Sequence, residues 1–193
     1  DAGLISELVV SDGGSTDGTR TLADAWGANI VTGPASRGGQ LRRGCDVARG
    51  EWLLVLHADT VLSPGWTDAV VAHLGSRRAA YFRLSFDQGG RFVAGWANIR
   101  ARLFRLPYGD QGLLVRRGAY DAAGGYPDIP LMEDVALVRA LRGQLDALDA
   151  VAVTSAKKYR TQGWLRRGTR NLWTLARYFA GVSPVTLAKS YRR

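Results

Sequence analysis

From residue 1 to residue 75, short apolar runs alternate with segments that carry helix signals, and this alternation constrains the fold more than any other feature. The expected strands cover residues 7–10, 29–32 and 52–56, and the expected helices cover residues 17–26, 37–48 and 63–75. A β-α-β-α-β-α order is typical of parallel strands covered by helices. We therefore expect an α/β fold with a mostly parallel sheet flanked by helices.

The later segments continue this mixture. We expect strands at 79–86, 112–115 and 151–154, helices at 92–104, 117–123, 132–141 and 164–180, and a last short helix after Ser183-Pro184. The length of 193 residues fits one domain with a small appendage. We assign residues 1–160 to the α/β domain and residues 161–193 to C-terminal helices rich in basic and aromatic side chains.

Two carboxylates follow predicted strands. Asp12 ends the first strand and opens a glycine-rich loop, and Asp59 follows the apolar run 52–56. Ligands of open α/β sheets bind outside the carboxyl ends of the strands, so both residues are expected at one crevice. Asp59 suits a divalent cation, and Asp12 can accept hydrogen bonds from a base or a ribose. The simpler interpretations are an N-cap for Asp59 and a turn residue bonded to its own loop for Asp12.

Further charged residues stand at predicted helix starts. Arg37 precedes two glycines at the start of a helix, a combination that favours an anion. Glu133 and Asp134 begin another helix beside a loop rich in glycine and proline. One of these acids could act as a general base, which requires hydrogen-bond reach to an acceptor hydroxyl. The acids could also serve only to stabilise the helix dipole.

The charge is uneven along the chain. Lysine and arginine number 26 against 17 acidic residues, for a net charge of +9, and residues 157–193 contain no acid. Such a surplus indicates an anionic partner. Lys157, Lys158 and Arg160 could neutralise a diphosphate leaving group or form an ordinary solvated charge run. The segment from Trp164 onward could attach to an anionic membrane or pack its apolar face on the core.

Cysteine and histidine usage narrows the chemistry. Cys45 is the only cysteine, which excludes an internal disulfide and suits a reducing, cytoplasmic compartment. His57 stands two residues before Asp59, whereas His73 lies in a predicted helix. No leader peptide and no apolar run long enough to cross a membrane is visible, so any membrane association is expected to be peripheral, on the inner face.

Four motifs, in this order and with this spacing, resemble family 2 glycosyltransferases of the GT-A fold over about residues 5–160. They begin at Val9, Arg37, His57 and Met132 and read VVSDGGSTDGT, RGGQ, HADT and MED. The resemblance is nearest to a bacterial subgroup of radical-SAM-associated transferases whose metal motif reads H-A-D-T. It implies an inverting transfer of a sugar from a nucleotide-diphosphate donor to a hydroxyl acceptor, assisted by Mn²⁺ or Mg²⁺.

The resemblance also implies residue roles. Asp134 would be the base, supported by Glu133, and Asp59 would hold the metal with His57 beside it. The remaining roles are nucleotide contacts for Asp12 and Arg37, diphosphate contacts for Lys157, Lys158 and Arg160, and sugar or acceptor contacts for Asp110 and Gln111. A nucleotidyltransferase acting on a sugar phosphate is the main alternative function, and a non-enzymatic nucleic-acid-binding protein is a more distant one.

The chain departs from the family pattern in three places. His57 replaces the first aspartate of the metal motif, and Gly13 replaces an acid of the first motif. The family's first strand, which lies centrally in the sheet, and its first helix have no counterpart in the sequence. Without that strand the sheet would contain unpaired backbone groups. We therefore expect that upstream residues once supplied it or that another segment takes its place.

Overall fold

The computed structural model describes residues 3–141 and 145–191. The strands are β1 (Val9–Asp12), β2 (Asn29–Thr32), β3 (Trp52–Val55), β4 (Thr60–Leu62), β5 (Ala79–Phe86), β6 (Leu113–Arg116) and β7 (Leu145–Thr154). The helices are α1 (Thr19–Ala25), α2 (Arg37–Val47), α3 (Trp66–His73), α4 (Arg91–Phe104), α5 (Arg117–Ala122), α6 (Glu133–Ala140), α7 (Lys157–Gln162), α8 (Trp164–Phe179) and α9 (Pro184–Tyr191).

The main sheet contains five strands in the order β3-β6-β5-β7-β4. Strands β5 and β7 pair in parallel, whereas β6 is antiparallel to both β3 and β5, and β4 is antiparallel to β7. The α/β class with a sheet flanked by helices is confirmed, but only one of the four strand pairs in the main sheet is parallel, in place of the mostly parallel pairing that was expected. The sequence did not reveal this, because the pattern of apolar residues does not determine strand direction.

Strands β1 and β2 form a separate parallel sheet. In the described residues, no backbone ladder joins this sheet to β3, which pairs only with β6. The expected interruption of the sheet beside the first strand therefore has a structural counterpart. The Glu7 carboxylate, just before β1, accepts hydrogen bonds from the Arg49 and Gly50 N–H groups just before β3. Leu4 packs against the same core cluster as Trp52 and Leu54.

Most predicted elements are present with small shifts of their ends. The exceptions are β4, α7 and a 3₁₀ turn at Gly109–Gln111, which the sequence patterns did not indicate. Strand β7 also begins at Leu145, six residues earlier than predicted. The helix predicted at 132–141 is observed as α6, Glu133–Ala140. Residues 142–144, which follow in the sequence, fall outside the described part of the chain.

The C-terminal helices pack on the sheet domain. Trp164 of α8 lies edge-on against Phe86 and stacks on Tyr159, with ring centroids 5.1 and 5.0 Å away. Leu187 of α9 is fully buried beside Leu131. These contacts bring α7 and α8 over the end of the sheet where α6 begins. None of the helices in the described residues has the length and apolarity that a membrane crossing requires.

Candidate active site

A cleft of about 600 Å³ opens between the start of α6 and the helices α7 and α8. Its floor carries the acids that the sequence singled out, and its opposite wall carries basic side chains from α7 and α8. Of the predicted site residues, the cleft is lined by Arg37, His57, Asp59, Asp110, Glu133, Asp134 and Lys158. Four others, Asp12, Gln111, Lys157 and Arg160, do not line it.

Glu133 and Asp134 form the first turn of α6 and are both buried. The residue before them, Met132, adopts a left-handed backbone conformation with φ 68°, which is unusual for a side chain of this size. Strained backbone of this kind occurs mostly at functional sites. The turn at Met132 directs both carboxylates into the start of α6 rather than toward solvent.

Arg37 neutralises this acidic pair from the start of α2. Its Nε lies 2.7 Å from the Glu133 Oε1, and its terminal nitrogen lies 3.8 Å from the Asp134 Oδ2. The helix start is fixed because the Ser36 hydroxyl accepts a hydrogen bond from the Gly39 N–H. Gly38 is needed here, since a Cβ would lie 1.9 Å from the Pro127 carbonyl oxygen. The predicted anion site at this helix is therefore filled by protein carboxylates.

Gly109 closes the site from a loop that precedes β6. Its N–H donates to the Asp134 Oδ2 over 3.1 Å, and the His57 Nε2 lies 3.8 Å from the same oxygen. A Cβ on Gly109 would lie 2.2 Å from the His57 Nε2 and 2.6 Å from the Asp134 Oδ2. Only glycine lets this backbone approach both side chains. Asp134 thus has one oxygen fully engaged, and its Oδ1 is buried with no hydrogen-bond partner among the described residues.

These contacts separate the protonation behaviour of the two acids. Burial and the neighbouring Asp134 charge raise the pKa of Glu133 above its ordinary value, although Arg37 opposes them. Burial alone would raise the pKa of Asp134, but His57, Arg37 and the Gly109 N–H outweigh it and lower that pKa. Asp134 is therefore the acid that is held ionised. Burial disfavours charge on His57, yet its contact with Asp134 raises the pKa of the imidazole.

Asp59 lies at the other side of the cleft, between β3 and β4. Its backbone carbonyl accepts hydrogen bonds from the Ser155 N–H and the Thr154 hydroxyl, and its half-exposed carboxylate lies 3.5 Å from the Lys158 Nζ. His57 lines the same cleft, and a metal site shared by Asp59 and His57 stays a prediction. Ligand atoms of His57, Glu133 and Asp134 lie within 4.8 Å of one another, a spacing that could also hold a metal ion.

Two neighbouring loop residues differ in position. Asp110 lines the cleft with a buried Oδ1 that lacks a hydrogen-bond partner among the described residues, and burial raises the pKa of its carboxyl. Gln111 is fully buried, and its amide donates to the Phe82 carbonyl over 3.2 Å. In this structure the side chain of Gln111 supports the loop from behind, and its contact with sugar or acceptor stays a prediction.

Asp12 is occupied by its own loop. It is buried at the end of β1 and accepts hydrogen bonds from the Ser15 and Gly14 N–H groups and from the Arg20 Nε, the last at 2.7 Å. The bonds from Ser15 and Arg20 hold the pKa of its carboxyl well below the ordinary range. This arrangement matches the turn interpretation of Asp12. A direct contact between Asp12 and a nucleotide stays a prediction.

The basic wall of the cleft extends beyond the predicted residues. Lys157 and Arg160 lie outside the lining, while Arg166, Arg167 and Arg170 of α8 lie within it. The Gln162 Oε1 accepts hydrogen bonds from both Arg167 and Arg170, at 2.8 and 2.5 Å. The guanidinium of Arg170 lies over the Tyr191 ring, 4.7 Å from its centroid. Sequence reasoning missed these residues within the long basic segment, and only the clustering of arginines there hinted at them.

Comparisons with known proteins agree with this geometry. Residues 3–126 match the family described as Glycosyl transferase family 2. Curated relatives from Mycobacterium bovis and Mycobacterium tuberculosis, named PGL/p-HBAD biosynthesis glycosyltransferases, are 32% identical over 136 residues. That alignment covers 62% of this chain and 51% of the relatives, so the chain spans about half their length.

Solved structures share the fold. Glucosyl-3-phosphoglycerate synthase from Mycobacterium tuberculosis, in complex with Mn²⁺ and uridine-diphosphate-glucose, aligns with a TM-score of 0.53 at 20% identity, covering 80% of this chain and 60% of that one. S. aureus TarS in complex with UDP-GlcNAc aligns with a TM-score of 0.59 at 15% identity, covering 77% and 49%. The fold is therefore that of GT-A glycosyltransferases, and the chain belongs to glycosyl transferase family 2.

Proposed function

We propose that this protein transfers a sugar from a nucleotide-diphosphate donor to a hydroxyl acceptor with inversion, and that Asp134 is the base. One observation carries the proposal. Asp134 is buried in a cleft, its pKa is lowered, and one oxygen is held by Gly109 while the other lacks a partner among the described residues. An ionised carboxylate with one oxygen free of hydrogen-bond partners is suited to accept a proton.

In the proposed reaction, the acceptor oxygen attacks the anomeric carbon as its proton passes to the Asp134 carboxylate. The bond from the anomeric carbon to the diphosphate oxygen breaks, and its electron pair leaves with the diphosphate. Glu133 and Arg37 position Asp134 through the ion pairs at 2.7 and 3.8 Å. Because Arg37 is engaged with both acids, we reassign it from nucleotide binding to positioning.

The basic wall supports binding of the donor diphosphate. Lys158, Arg167 and Arg170 line the cleft, and no ion pair joins either arginine to an acid within the described ranges. Positive groups that are already oriented stabilise the charge that develops on a leaving diphosphate. Lys157 and Arg160 would then contribute only at longer range, and Asp110 would face the sugar or the acceptor.

The residues present fit a Mn²⁺ or Mg²⁺ ion at Asp59 better than at the triad of His57, Glu133 and Asp134. Arg37 already supplies a positive charge to the two acids of the triad. The Asp59 carboxylate is open to the cleft, where donor phosphates and water could complete a shell of oxygen ligands. A bound ion would supply charge stabilisation to the diphosphate.

The test is Asp134→Asn, which keeps the shape of the side chain but cannot accept the proton. Thermal-shift screening of nucleotide sugars with and without Mn²⁺ first identifies the donor, because specific binding raises the melting temperature. Turnover is then measured as release of the nucleoside diphosphate. We expect a loss of ~10²–10⁴-fold with donor binding retained. Asp121→Asn, an exposed acid on α5, serves as the matched control.

Near-normal turnover by Asp134→Asn would reject the assignment of the base. Inversion is checked separately by determining the anomeric configuration of the product. Formation of pyrophosphate from a sugar phosphate and a nucleoside triphosphate would instead support the alternative, a nucleotidyltransferase. Membership of the radical-SAM-associated subgroup and a cytoplasmic location at the inner face of the membrane stay proposals drawn from the sequence.

A further inference from the structure

Helix α4 buries small residues and exposes large apolar ones, which is the opposite of an ordinary surface helix. Its buried side carries the small residues Ala94, Ala97 and Ala101. Its exposed side carries large apolar side chains, which are Phe92 at 95% exposure, Trp96 at 47%, Ile99 at 50% and Leu103 at 68%. Solvent-facing helix surfaces are normally polar, so such a face indicates a partner that covers it.

The four large side chains form one continuous stripe. They follow one another at spacings of four, three and four residues, and at about 100° per residue they lie within about 60° of one another. On the same scale the alanines lie on the opposite side of the helix. Phe104 is also exposed, but it lies about 120° from Phe92 around the helix and outside the stripe. We call the surface formed by Phe92, Trp96, Ile99 and Leu103 the α4 face.

The exposed charges on α4 itself all have one sign. Arg91 and Arg102 are exposed and lie about 80–100° from Phe92 around the helix, along one edge of the stripe. Helix α4 contains no acidic residue. Long basic side chains at the edge of an apolar stripe can reach lipid headgroups while the apolar residues enter the acyl boundary. A second copy of the chain would fit less well, because its arginines would repel these.

We propose that the α4 face lies on an anionic lipid bilayer, with Phe92, Trp96, Ile99 and Leu103 inserted at the headgroup boundary and Arg91 and Arg102 bound to anionic headgroups. This surface belongs to a different element from the C-terminal segment that the sequence suggested. In that segment, Trp164 packs against Phe86 and Tyr159, whereas Leu165 and Trp173 of α8 are exposed, so attachment through α8 stays a separate prediction. The proposal does not depend on the reaction proposed for the cleft.

The experiment is co-sedimentation of the full chain with vesicles of phosphatidylcholine, with and without phosphatidylglycerol. We expect binding only when phosphatidylglycerol is present, and weaker binding as the salt concentration rises. Phe92→Ser/Leu103→Ser removes the two most exposed members of the stripe and should weaken binding about tenfold or more. Arg91→Gln/Arg102→Gln should weaken it about fivefold per charge.

Trp26→Ser is the matched control, because Trp26 is an aromatic side chain of 75% exposure outside α4. This variant should bind vesicles as the parent does. Circular dichroism melting curves show whether each variant is folded, and only variants that melt as the parent does are compared. Should the folded α4 double variant bind as well as the parent, the α4 face is not the docking surface.

Two other results would also overturn the proposal. Equal binding to vesicles with and without phosphatidylglycerol would mean that anionic headgroups are not recognised. Sedimentation of the parent as a dimer that Phe92→Ser/Leu103→Ser converts to a monomer, with no vesicle binding, would identify the α4 face as an interface between copies. Vesicle binding by a monomer that is lost in both double variants would support the proposal.

Discussion

Gly109→Ala is the most informative single substitution at the site, because it adds one methyl group between two functional side chains. The added Cβ would lie 2.2 Å from the His57 Nε2, whereas real Cβ contacts stay at 3.0 Å or more, so the imidazole must move by about 0.8 Å. The Asp134 Oδ2, at 2.6 Å, must also move. The φ of Gly109 is not positive, so the backbone itself does not require glycine.

The expected effect is loss of catalysis with little loss of fold. A displacement of about 1 Å of a catalytic group can cost about 10²-fold in rate, and we expect a decrease of that order in kcat. The additional crowding should lower the free energy of unfolding by ~1–3 kcal/mol. Both quantities are measurable on one preparation, by release of the nucleoside diphosphate and by urea unfolding.

Gly118→Ala is the control for this substitution. Gly118 lies inside α5 with no atom within 4 Å of an added Cβ, so alanine should stabilise the helix by ~0.5–1 kcal/mol and leave kcat unchanged. The affinity for the nucleoside diphosphate should be the same in both variants. A folded Gly109→Ala enzyme with the kcat of the parent would refute the reasoning, since Asp134 would not then depend on its contact with the Gly109 backbone.

Three further substitutions test other contacts. Gly38→Ala places a Cβ 1.9 Å from the Pro127 carbonyl oxygen and should lower the free energy of unfolding, measured with urea, by ~1–3 kcal/mol or more. Arg20→Leu should move acid unfolding to higher pH, because the depressed pKa of Asp12 provides stability that is lost as pH falls, and Arg20 supplies part of that depression. The parent should lose stability as the pH rises above about 6.5, because the raised pKa of His57 provides stability at low pH that disappears as the imidazole deprotonates. His57→Phe should abolish this loss. The same slope of the free energy of unfolding against pH in parent and variant would contradict the raised pKa.

The order of elements could be predicted, but strand direction could not. Apolar runs and glycine or proline breaks placed most helices and strands within a few residues. The antiparallel direction of β4 and β6 depends on hydrogen bonds with β7, β3 and β5, which are distant in sequence. Helix α4 illustrates the same limit. The spacing of its apolar residues predicts a helix. That spacing does not tell which side faces the core when alanines occupy one side and large apolar residues occupy the other.

The acids of the site could be predicted because they end strands or begin helices. Asp59, Glu133 and Asp134 stand at such ends, and all three line the cleft. The role of Gly109 at the site could not be predicted, because it depends on how a loop folds against His57 and not on any local sequence pattern. Likewise, the sequence shows a basic C-terminal segment, but only the packing of α8 determines that Arg167 and Arg170 enter the cleft while Arg160 does not.

Arg100 connects α4 to the loop whose Gly109 N–H donates to Asp134. It is the buried charge of α4, its Nε donates to the Leu106 carbonyl over 3.0 Å, and its guanidinium lies 3.5 Å from the Tyr108 ring centroid. Tyr108 immediately precedes Gly109, which holds Asp134. Arg100 therefore joins α4 to that loop through one side chain. If the α4 face binds a bilayer as proposed and that binding shifts Tyr108, a ligand bound at the loop and the bilayer must change each other's affinity by the same factor, because coupling between two binding events is reciprocal.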